Sequence, residues 1–483
     1  MGNTNSKKQK RNVNSCPLYK KCGGCQLQNM SYEEQLSFKQ VKVIKLLGRY
    51  HHVNEIIGMD NPYHYRNKVQ AAFGMKGGNI ISGVYQSSTH KIVPVDSCMI
   101  EDEKADEIVV TIRKLLKSFK LKPFNDETMQ GFLRHVLIKR SFSTNQIMVV
   151  LVTGYSEFPK SRQFINALLE RHSDITTIIQ NINDKRTSLV LGEKSRVLYG
   201  DGYIEDILCG CRFRISAKAF YQINSIQTEK LYNTALKFAK LSGNETVIDA
   251  YCGTGTIGII ASKKAGSIIG VELNHDAVED AKVNAQINNI KNIDFYEADA
   301  GKFMVDAAKA GRKADVVIMD PPRAGASVSF LHSLITLSPK KVVYISCNPE
   351  TQARDISILI RNGYRVRKIQ PVDMFPHTEH VETVVQLVRK KPDTYIDITV
   401  DMDELDLTSS EAKATYDEIK DYIFDKYSVK VSSLYIAQVK QKHGIIERDC
   451  YNNPKKETPK QPQCPPEKVK LIEEALRHFK MIS

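Results

Sequence analysis

The strongest constraint on the fold is the alternation of apolar segments with helical patterns over residues 246–346. The apolar segments are TVIDAY (246–251), SIIGVEL (267–273), IDFYEA (293–298), ADVVIMD (314–320) and KVVYIS (341–346). Parallel strands need crossover connections, which are usually helices, so the alternation predicts a parallel sheet wrapped by helices. VRKIQPVDMF and HVETVVQLVRK then predict two late strands that pair antiparallel at the edge of this sheet.

With 483 residues, the chain is too long for one ordinary domain, and its pattern changes near residue 210. The predicted parts are a disordered basic tail over 1–15, an α+β region with antiparallel hairpins over 16–210, an α/β domain over 211–390, and a small, mostly helical accessory extension over 391–483.

The net charge of +14 is unevenly distributed, because residues 391–483 carry 15 Lys and Arg against 17 Asp and Glu. The basic body that precedes them suits a phosphate-bearing partner, although charge alone does not separate this from an ordinary basic surface. The basic start of the chain lacks the apolar run of a secretory signal, and we find no long uncharged apolar stretch. We therefore expect a cytoplasmic protein with no membrane partner.

A glycine-rich turn in VIDAYCGTGTIGI (247–259) links the first strand of the predicted sheet to a helix, and Gly253, Gly255 and Gly258 match G-x-G-x-x-G. Such a turn lets the backbone approach an adenosine-bearing ligand, and a carboxylate such as Glu272, at the end of the next strand, can accept the ribose hydroxyls. NAD would fit the same pattern. Asp249 before the turn and DPPRAG (320–325) after the fourth strand favour S-adenosylmethionine.

Cys347 directly follows the fifth strand, at the sheet edge where open α/β sheets bind ligands. A cysteine at this edge is more typical of a reactive thiolate than of a packing residue. Glu382 begins the late edge strand, where a carboxylate can take a proton from a bound base. Alone it would be a surface charge, so its interpretation depends on Cys347.

This pair of residues suits methylation of uracil at C5. That carbon is too weak a nucleophile to attack a sulfonium methyl unaided, but addition of the Cys347 thiolate at C6 makes it an enolate carbon. Glu382 would then remove the C5 proton and the thiolate would leave. The base must leave its stack to be reached, with the basic region holding the RNA backbone.

A second cysteine group consists of Cys16, Cys22 and Cys25, spaced C-x5-C-x2-C, with Cys98 further along the chain. Four thiolates suit either zinc or a [4Fe–4S] cluster. Three close cysteines and one distant one favour the iron–sulfur cluster over zinc, and unligated free thiols would be unusual for three cysteines within ten residues.

Eight segments together resemble the RNA (uracil-5-)-methyltransferase family over roughly residues 16–390. They are CPLYKKCGGCQLQ, YRNK, GFLRHV, AFYQIN, DAYCGTGTIG, MDPPRAG, YISCNP and HTEHVET. The resemblance implies a Rossmann-like class I methyltransferase sheet, preceded by an α+β region that holds an iron–sulfur cluster and binds RNA.

The resemblance also implies roles for individual residues, with Cys347 as nucleophile and Glu382 as proton acceptor. The implied S-adenosylmethionine contacts are Gln222, Tyr251, Thr256, Glu272, Asp299 and Asp320. The implied ligands of the [4Fe–4S] cluster are Cys16, Cys22, Cys25 and Cys98. The cluster indicates the branch that acts on bacterial 23S ribosomal RNA, because the transfer-RNA branch generally lacks it.

Two departures from that branch are expected. The small β-barrel RNA-binding domain with which its members often begin would be absent, and the extension after Lys391 would be additional. Three other functions remain open: the same chemistry on transfer RNA, a non-catalytic iron–sulfur RNA-binding protein, and an NAD-dependent dehydrogenase. The sequence does not give the oligomeric state.

Overall fold

The structure is a computed structural model that describes residues 16–86, 89, 91–390, 416–427, 429, 431–443, 464–479 and 481–482. The predicted tail over 1–15 and much of the extension therefore lie outside the described residues. The chain divides into two compact units, Met1–Lys391 and Pro392–Ser483. Among the described residues, no helix is both long and apolar enough to cross a membrane.

The described residues in the first half of the first unit form nine strands and four helices. They are α1 (Tyr19–Cys22), α2 (Tyr32–Leu47), β1 (Lys68–Lys76), β2 (Asn79–Tyr85), β3 (Ile92–Pro94), α3 (Glu103–Ser118), β4 (Leu133–Arg140), β5 (Ile147–Thr153), α4 (Ser161–Leu169), β6 (Ile175–Ile182), β7 (Lys194–Tyr199), β8 (Ile204–Leu208) and β9 (Cys211–Ile215).

Strands β1 to β7 form one sheet in the order β3-β2-β1-β4-β5-β6-β7, antiparallel except for the β5–β6 pair. Side chains along its strands point alternately to two faces, and both faces are apolar. Val136 and Ile138 of β4 pack against α3 and α4, whereas Leu137 faces the opposite side, where the β8–β9 hairpin contributes Ile204 and Ile215. The predicted α+β character of this region is confirmed.

The second half of the first unit contains seven strands and six helices. They are α5 (Ser225–Ala239), β10 (Thr246–Ala250), α6 (Thr256–Ser262), β11 (Ser267–Glu272), α7 (His275–Ile287), β12 (Ile293–Glu297), α8 (Ala300–Lys309), β13 (Val316–Met319), α9 (Val328–Leu337), β14 (Lys341–Ser346), α10 (Pro349–Arg361), β15 (Tyr364–Val372) and β16 (Glu382–Arg389).

The second sheet has the order β12-β11-β10-β13-β14-β16-β15. Strands β10 to β14 are mutually parallel, as the sequence predicted, and β15 and β16 pair antiparallel. The prediction that Glu382 begins an edge strand is wrong, because β16 lies between β14 and β15. The unbroken burial of ETVVQL at the start of β16 is typical of an internal strand.

The sheet reverses its strand order between β10 and β13, since β11 and β12 lie on one side and β14 on the other. Open α/β sheets bind ligands at such a point, beyond the carboxyl ends of the strands. The topology therefore brings the loops after β10, β13 and β14 to one edge.

Helix α2 fastens the N-terminal region to the segment that leads into β16. Ser31 and Glu34 form the capping box expected of this helix start. On its buried face, Lys39 forms an ion pair with Asp373 at 2.5 Å, with neither side chain exposed. Tyr32 adds a hydrogen bond from its hydroxyl to the same carboxylate at 3.0 Å.

The described residues of the second unit form three helices, α11 (Tyr416–Tyr427), α12 (Ser433–Lys442) and α13 (Pro466–His478). They share an apolar core that includes Ile423, Ile436 and Ile472. The predicted helical character of the extension is confirmed in this part of the chain.

Candidate active site

The turn between β10 and α6 has a backbone that few residues other than glycine adopt. Gly253 and Gly255 have φ of 54° and 78°, and Tyr251 is held at 64°. A Cβ on Gly255 would lie 2.9 Å from the Phe295 ring. The turn is therefore both strained and close-packed, as expected where backbone must approach a ligand.

Asp249 supports this turn from within β10. Its carboxylate accepts a hydrogen bond from the Gly258 N–H at 2.7 Å and lies deep in the sheet. Burial, together with the nearby Asp320 and Glu272, raises the pKa of Asp249 to about 7, although the Gly258 bond opposes the rise. The aspartate thus ties the strand to the start of the helix.

A cleft opens behind the turn, with about 420 Å³ of empty space that includes the part open to solvent. Its lining residues are Leu208, Phe220, Tyr221, Gln222, Tyr232, Tyr251, Cys252, Gly253, Thr254, Thr256, Ile257 and Asp320. Aromatic rings and a few polar groups around a concave space are typical of a small-molecule site. The cleft lies at the point where the strand order reverses.

Four of the six predicted cofactor residues line this cleft: Gln222, Tyr251, Thr256 and Asp320. The other two, Glu272 and Asp299, are not among the described residues that line the cleft. Glu272 accepts a hydrogen bond from the Gly253 N–H at 3.1 Å, so it touches the glycine turn directly. Asp299 caps α8 by accepting from the Lys302 N–H at 2.9 Å, and its charge acts on the Tyr251 phenol.

Sequence reasoning missed part of the cleft wall. Phe220 and Tyr221 belong to the AFYQIN segment, from which only Gln222 was singled out. Tyr232 comes from α5, where its spacing is that of an ordinary core residue, and its hydroxyl lies 3.4 Å from the Thr256 hydroxyl. No local signal distinguishes such a residue from its packing neighbours.

Cys347 and Glu382 come together at the same sheet edge. Strands β14 and β16 are antiparallel, with Ser346 opposite Thr383 as the last pair of their register, and Cys347 and Glu382 are the next residues toward the sheet edge. The Glu382 carboxylate acts electrostatically on the Cys347 thiol. Cys347 is half-buried, and Glu382 is only 5% exposed. Asp320, at the end of β13, acts electrostatically on both side chains.

The environment of Cys347 favours the neutral thiol in the absence of substrate. Burial, then the Glu382 and Asp320 carboxylates, raise the pKa of Cys347 to about 11. The guanidinium of Arg323 opposes them, because its nearby positive charge lowers this pKa. Arg323 is thus the group that favours the nucleophilic thiolate.

Glu382 is a buried carboxyl that binds a proton more readily than an ordinary glutamate does. Burial raises its pKa well above the ordinary value of 4.5, and Asp320 raises it further, while Arg323 partly offsets both. Burial also raises the pKa of Asp320. A carboxyl with a raised pKa beside a thiol is suited to accept a proton from a bound molecule.

Arg323 was not singled out from the sequence, although the DPPRAG segment that contains it was. Its carbonyl oxygen accepts hydrogen bonds from the Asn348 amide and the Thr351 hydroxyl, each at 3.2 Å. These bonds join the turn after β13 to the turn after β14. The position after two prolines is the one signal that could have identified it.

The cysteine group lies in the N-terminal region of the same unit. Cys16, Cys22 and Cys25 are close enough to act electrostatically on one another. Cys25 and Cys98 pack around the same small core with Tyr65. Within the described residues, no group of three or more potential ligands is arranged to hold a metal ion.

The N-terminal region that bears the cysteines contacts the start of the HTEHVET segment, which contains Glu382. The Leu27 N–H donates to the His377 carbonyl at 3.0 Å, and Gln35 accepts from the His377 N–H at 2.8 Å. The hydroxyl of Tyr65 donates to the Pro376 carbonyl at 3.0 Å. The loop before β16 is therefore held by the cysteine-bearing region.

Known proteins share this arrangement over most of the chain. A family model described as tRNA (uracil-5-)-methyltransferase matches residues 31–390. An uncharacterized RNA methyltransferase of Clostridium acetobutylicum is 45% identical over 390 residues, which cover 79% of this chain and 85% of that protein. One from Bacillus cereus is 41% identical over 379 residues, covering 77% and 82%.

A solved structure is similar at the level of the fold. The tRNA (uracil-54, C5)-methyltransferase of Pyrococcus abyssi, in complex with S-adenosyl-L-homocysteine, has a TM-score of 0.65 and 30% identity, covering 76% of this chain and 86% of that one. The family model and these relatives extend across both sheets of the first unit. This protein is an RNA methyltransferase and belongs to the tRNA (uracil-5-)-methyltransferase family.

Proposed function

We propose that the protein transfers a methyl group from S-adenosylmethionine to C5 of a uridine in RNA, through a covalent bond between Cys347 and C6 of the base. The observation that carries this proposal is the pairing of Cys347 with Glu382 beside Asp320, next to the cleft behind the glycine turn. A redox reaction with NAD would leave this thiol and carboxyl without a role.

We assign the cleft to S-adenosylmethionine, with Gln222, Tyr251, Thr256 and Asp320 in its wall and Glu272 and Asp299 at its rim. This assignment is supported by the aromatic and polar side chains around the cleft and by the strained glycine turn beside it. S-adenosylmethionine supplies an electrophilic methyl group when it is bound.

The chain's own residues then carry out three steps. The Cys347 thiolate, favoured by Arg323, bonds to C6 of the extruded uracil and moves the C5–C6 electron pair onto C5. The nucleophilic C5 accepts the methyl group. Glu382 removes the C5 proton, the released electron pair restores the C5–C6 bond, and the C6–sulfur bond breaks to return the thiolate.

We further propose that Cys16, Cys22, Cys25 and Cys98 hold a [4Fe–4S] cluster. The mutual proximity of the first three thiols, and the packing of Cys25 and Cys98 around Tyr65, support this assignment. A four-iron cluster needs thiolates spread more widely than a single ion does. The hydrogen bonds from this region to the segment before Glu382 support a structural role for the cluster.

We propose 23S ribosomal RNA as the target, with the activity in the cytoplasm. Residues 16–210 would contain the cluster and contact RNA, 211–390 would be the methyltransferase domain, 1–15 a basic tail and 391–483 an accessory extension. Transfer RNA is the second candidate, because the Pyrococcus abyssi protein, named as a tRNA methyltransferase, is similar in fold and 30% identical.

Methylation assays with radiolabelled S-adenosylmethionine test this proposal. Separate reactions would contain 23S ribosomal RNA and bulk transfer RNA, both from cells that lack the enzyme, with 5-methyluridine mapped afterwards. We expect one labelled site in the ribosomal RNA. Label confined to transfer RNA would establish the second candidate, and no 5-methyluridine in either RNA would contradict the proposed reaction.

A further inference from the structure

The segment that forms one wall of the cofactor cleft has no regular structure of its own. Residues 216–224 are neither helix nor strand, yet Phe220, Tyr221 and Gln222 line the cleft. Phe220 is 69% exposed, so burial of its side chain does not hold the segment in place. Other contacts must define the shape of this wall.

Lys139 of β4 holds the backbone of this segment from one side. Its side chain is 5% exposed, and its ammonium group donates to the carbonyl oxygens of Ser216 at 2.8 Å and Ala219 at 2.7 Å. Within the described part of the chain, no carboxylate lies within ion-pair distance of it. Burial, and then the nearby Lys68, lower the pKa of Lys139 to about 7. An amine can donate both hydrogen bonds in either protonation state.

Asp206 of β8 holds the segment from the other side. It is 1% exposed, and its carboxylate accepts from the hydroxyls of Ser141 at 2.6 Å, Ser143 at 2.5 Å and Tyr221 at 3.0 Å. No cation lies within ion-pair distance of it among the residues that the structure describes. The Tyr221 ring therefore has its hydroxyl bound to a buried carboxylate behind the cleft wall.

A buried amine and a buried carboxylate that have no ion-pair partner among the described residues are unfavourable for stability, since removing such groups from water carries a desolvation penalty. Lys139 lies on the apolar face of the sheet that Leu137 also occupies, where a methionine would pack. What these two residues provide in return is a defined backbone path. Three hydrogen bonds hold the chain between Ser216 and Tyr221.

We infer that Lys139 and Asp206 are positioning residues that hold residues 216–222 in the shape required to bind S-adenosylmethionine. The ligand named here rests on the proposed function. Neither side chain lines the cleft in the described structure, so neither is a catalytic residue. Their loss should weaken binding of the methyl donor and leave the chemical step largely intact once the donor is saturating.

The matched control is Lys341. It also donates from its side chain to two backbone carbonyls, those of Ala239 and Lys240, but it lies at the start of β14, the end of the strand opposite to Cys347. Lys341→Met therefore loses the same kind of contact as Lys139→Met at a distance from the cleft. Tyr221→Phe removes only one hydroxyl, so it tests the Asp206 contact with little risk to folding.

The experiment is calorimetric titration of the full-length variants with S-adenosylmethionine, followed by methylation kinetics. For Lys139→Met and Tyr221→Phe we expect Kd and KM for the donor to rise about tenfold, the equivalent of one to two hydrogen bonds. The kcat should change less than about threefold, and Lys341→Met should match the wild type in both assays.

The outcomes distinguish a failure of this inference from a failure of the proposed function. A wild-type protein that does not bind S-adenosylmethionine would contradict the proposed function. If the wild type binds it and folded Lys139→Met and Tyr221→Phe bind it equally well, the inference is wrong. If Lys139→Met does not fold, Tyr221→Phe decides alone, and a fall in kcat without a change in KM also overturns the inference.

Discussion

Cys347 and Glu382 meet at one edge of the sheet, each one residue beyond the Ser346–Thr383 pair of β14 and β16, and the Glu382 carboxylate acts electrostatically on the Cys347 thiol. Because the two strands are antiparallel, one chain leaves the sheet where the other enters it, and both side chains reach the same edge. A thiol and a carboxyl placed in this way can act on adjacent atoms of one pyrimidine ring.

Glu382→Gln should allow methyl transfer but block the later step that releases the enzyme from the RNA. The amide cannot remove the C5 proton, so turnover should fall roughly 10²- to 10⁴-fold. The covalent protein–RNA species should accumulate with ordinary uridine RNA and be visible by intact-protein mass spectrometry. Glu379→Gln, an exposed carboxylate in the same segment, should retain wild-type turnover. Glu382→Gln with full turnover would eliminate Glu382 as the proton acceptor.

The reactivity of Cys347 should depend on pH and on Arg323. Only the thiolate is alkylated, and its fraction below a pKa of about 11 rises about tenfold for each pH unit. Alkylation of Cys347 by iodoacetamide should therefore accelerate between pH 7 and pH 9. Arg323→Ala should slow it at every pH in this range, because the guanidinium lowers that pKa.

Peptide mass spectrometry resolves alkylation at Cys347 from that at other cysteines. Arg312→Ala is the control, since Arg312 is also exposed and lies in the same half of the unit. An alkylation rate for Arg323→Ala equal to that of the wild type would show that Arg323 does not activate the thiol.

The buried Lys39–Asp373 pair should be important for stability. Lys39→Met leaves the Asp373 carboxylate in the interior with the Tyr32 hydroxyl as its one side-chain partner among the residues that the structure describes. Removing one partner of a buried ion pair reduces the free energy of unfolding by about 3–5 kcal/mol, which urea denaturation can measure. Lys45→Met on the exposed face of the same helix should change it by less than about 0.5 kcal/mol. Equal midpoints for the two variants would contradict this role.

The cluster assignment predicts the metal content of the purified protein. Anaerobically prepared protein should contain about four irons per chain and absorb broadly in the visible range. Cys25→Ser should lose most of the iron, and Cys347→Ala should retain it. Stoichiometric zinc in place of iron would remove the assignment.

The parallel half of the second sheet and the start of α2 could be predicted because their signals are local. Strands β10 to β14 alternate with helices in the sequence, and the capping box of Ser31 and Glu34 lies within four residues. The order of the last two strands could not be predicted. Both are apolar runs of similar length, and their pairing is decided by the distant β14.

The candidate site also contains both residues that the sequence could identify and residues that it could not. Cys347, Glu382 and Asp320 were identifiable because each follows or begins a predicted strand at one sheet edge. Tyr232 reaches the cleft from a helix whose packing is set by tertiary structure. Arg323 is exposed and has no periodic pattern, so only its effect on the pKa of Cys347 indicates a role.

The most direct test of the covalent mechanism uses RNA that contains 5-fluorouridine. Fluorine at C5 cannot be removed as a proton, so the adduct formed after methyl transfer cannot break down. Wild-type protein with S-adenosylmethionine should form a stable complex with this RNA on denaturing gels, and Cys347→Ala should form none. A folded wild-type enzyme that methylates uridine RNA but gives no such complex, or an equal yield from Cys347→Ala, would contradict the mechanism.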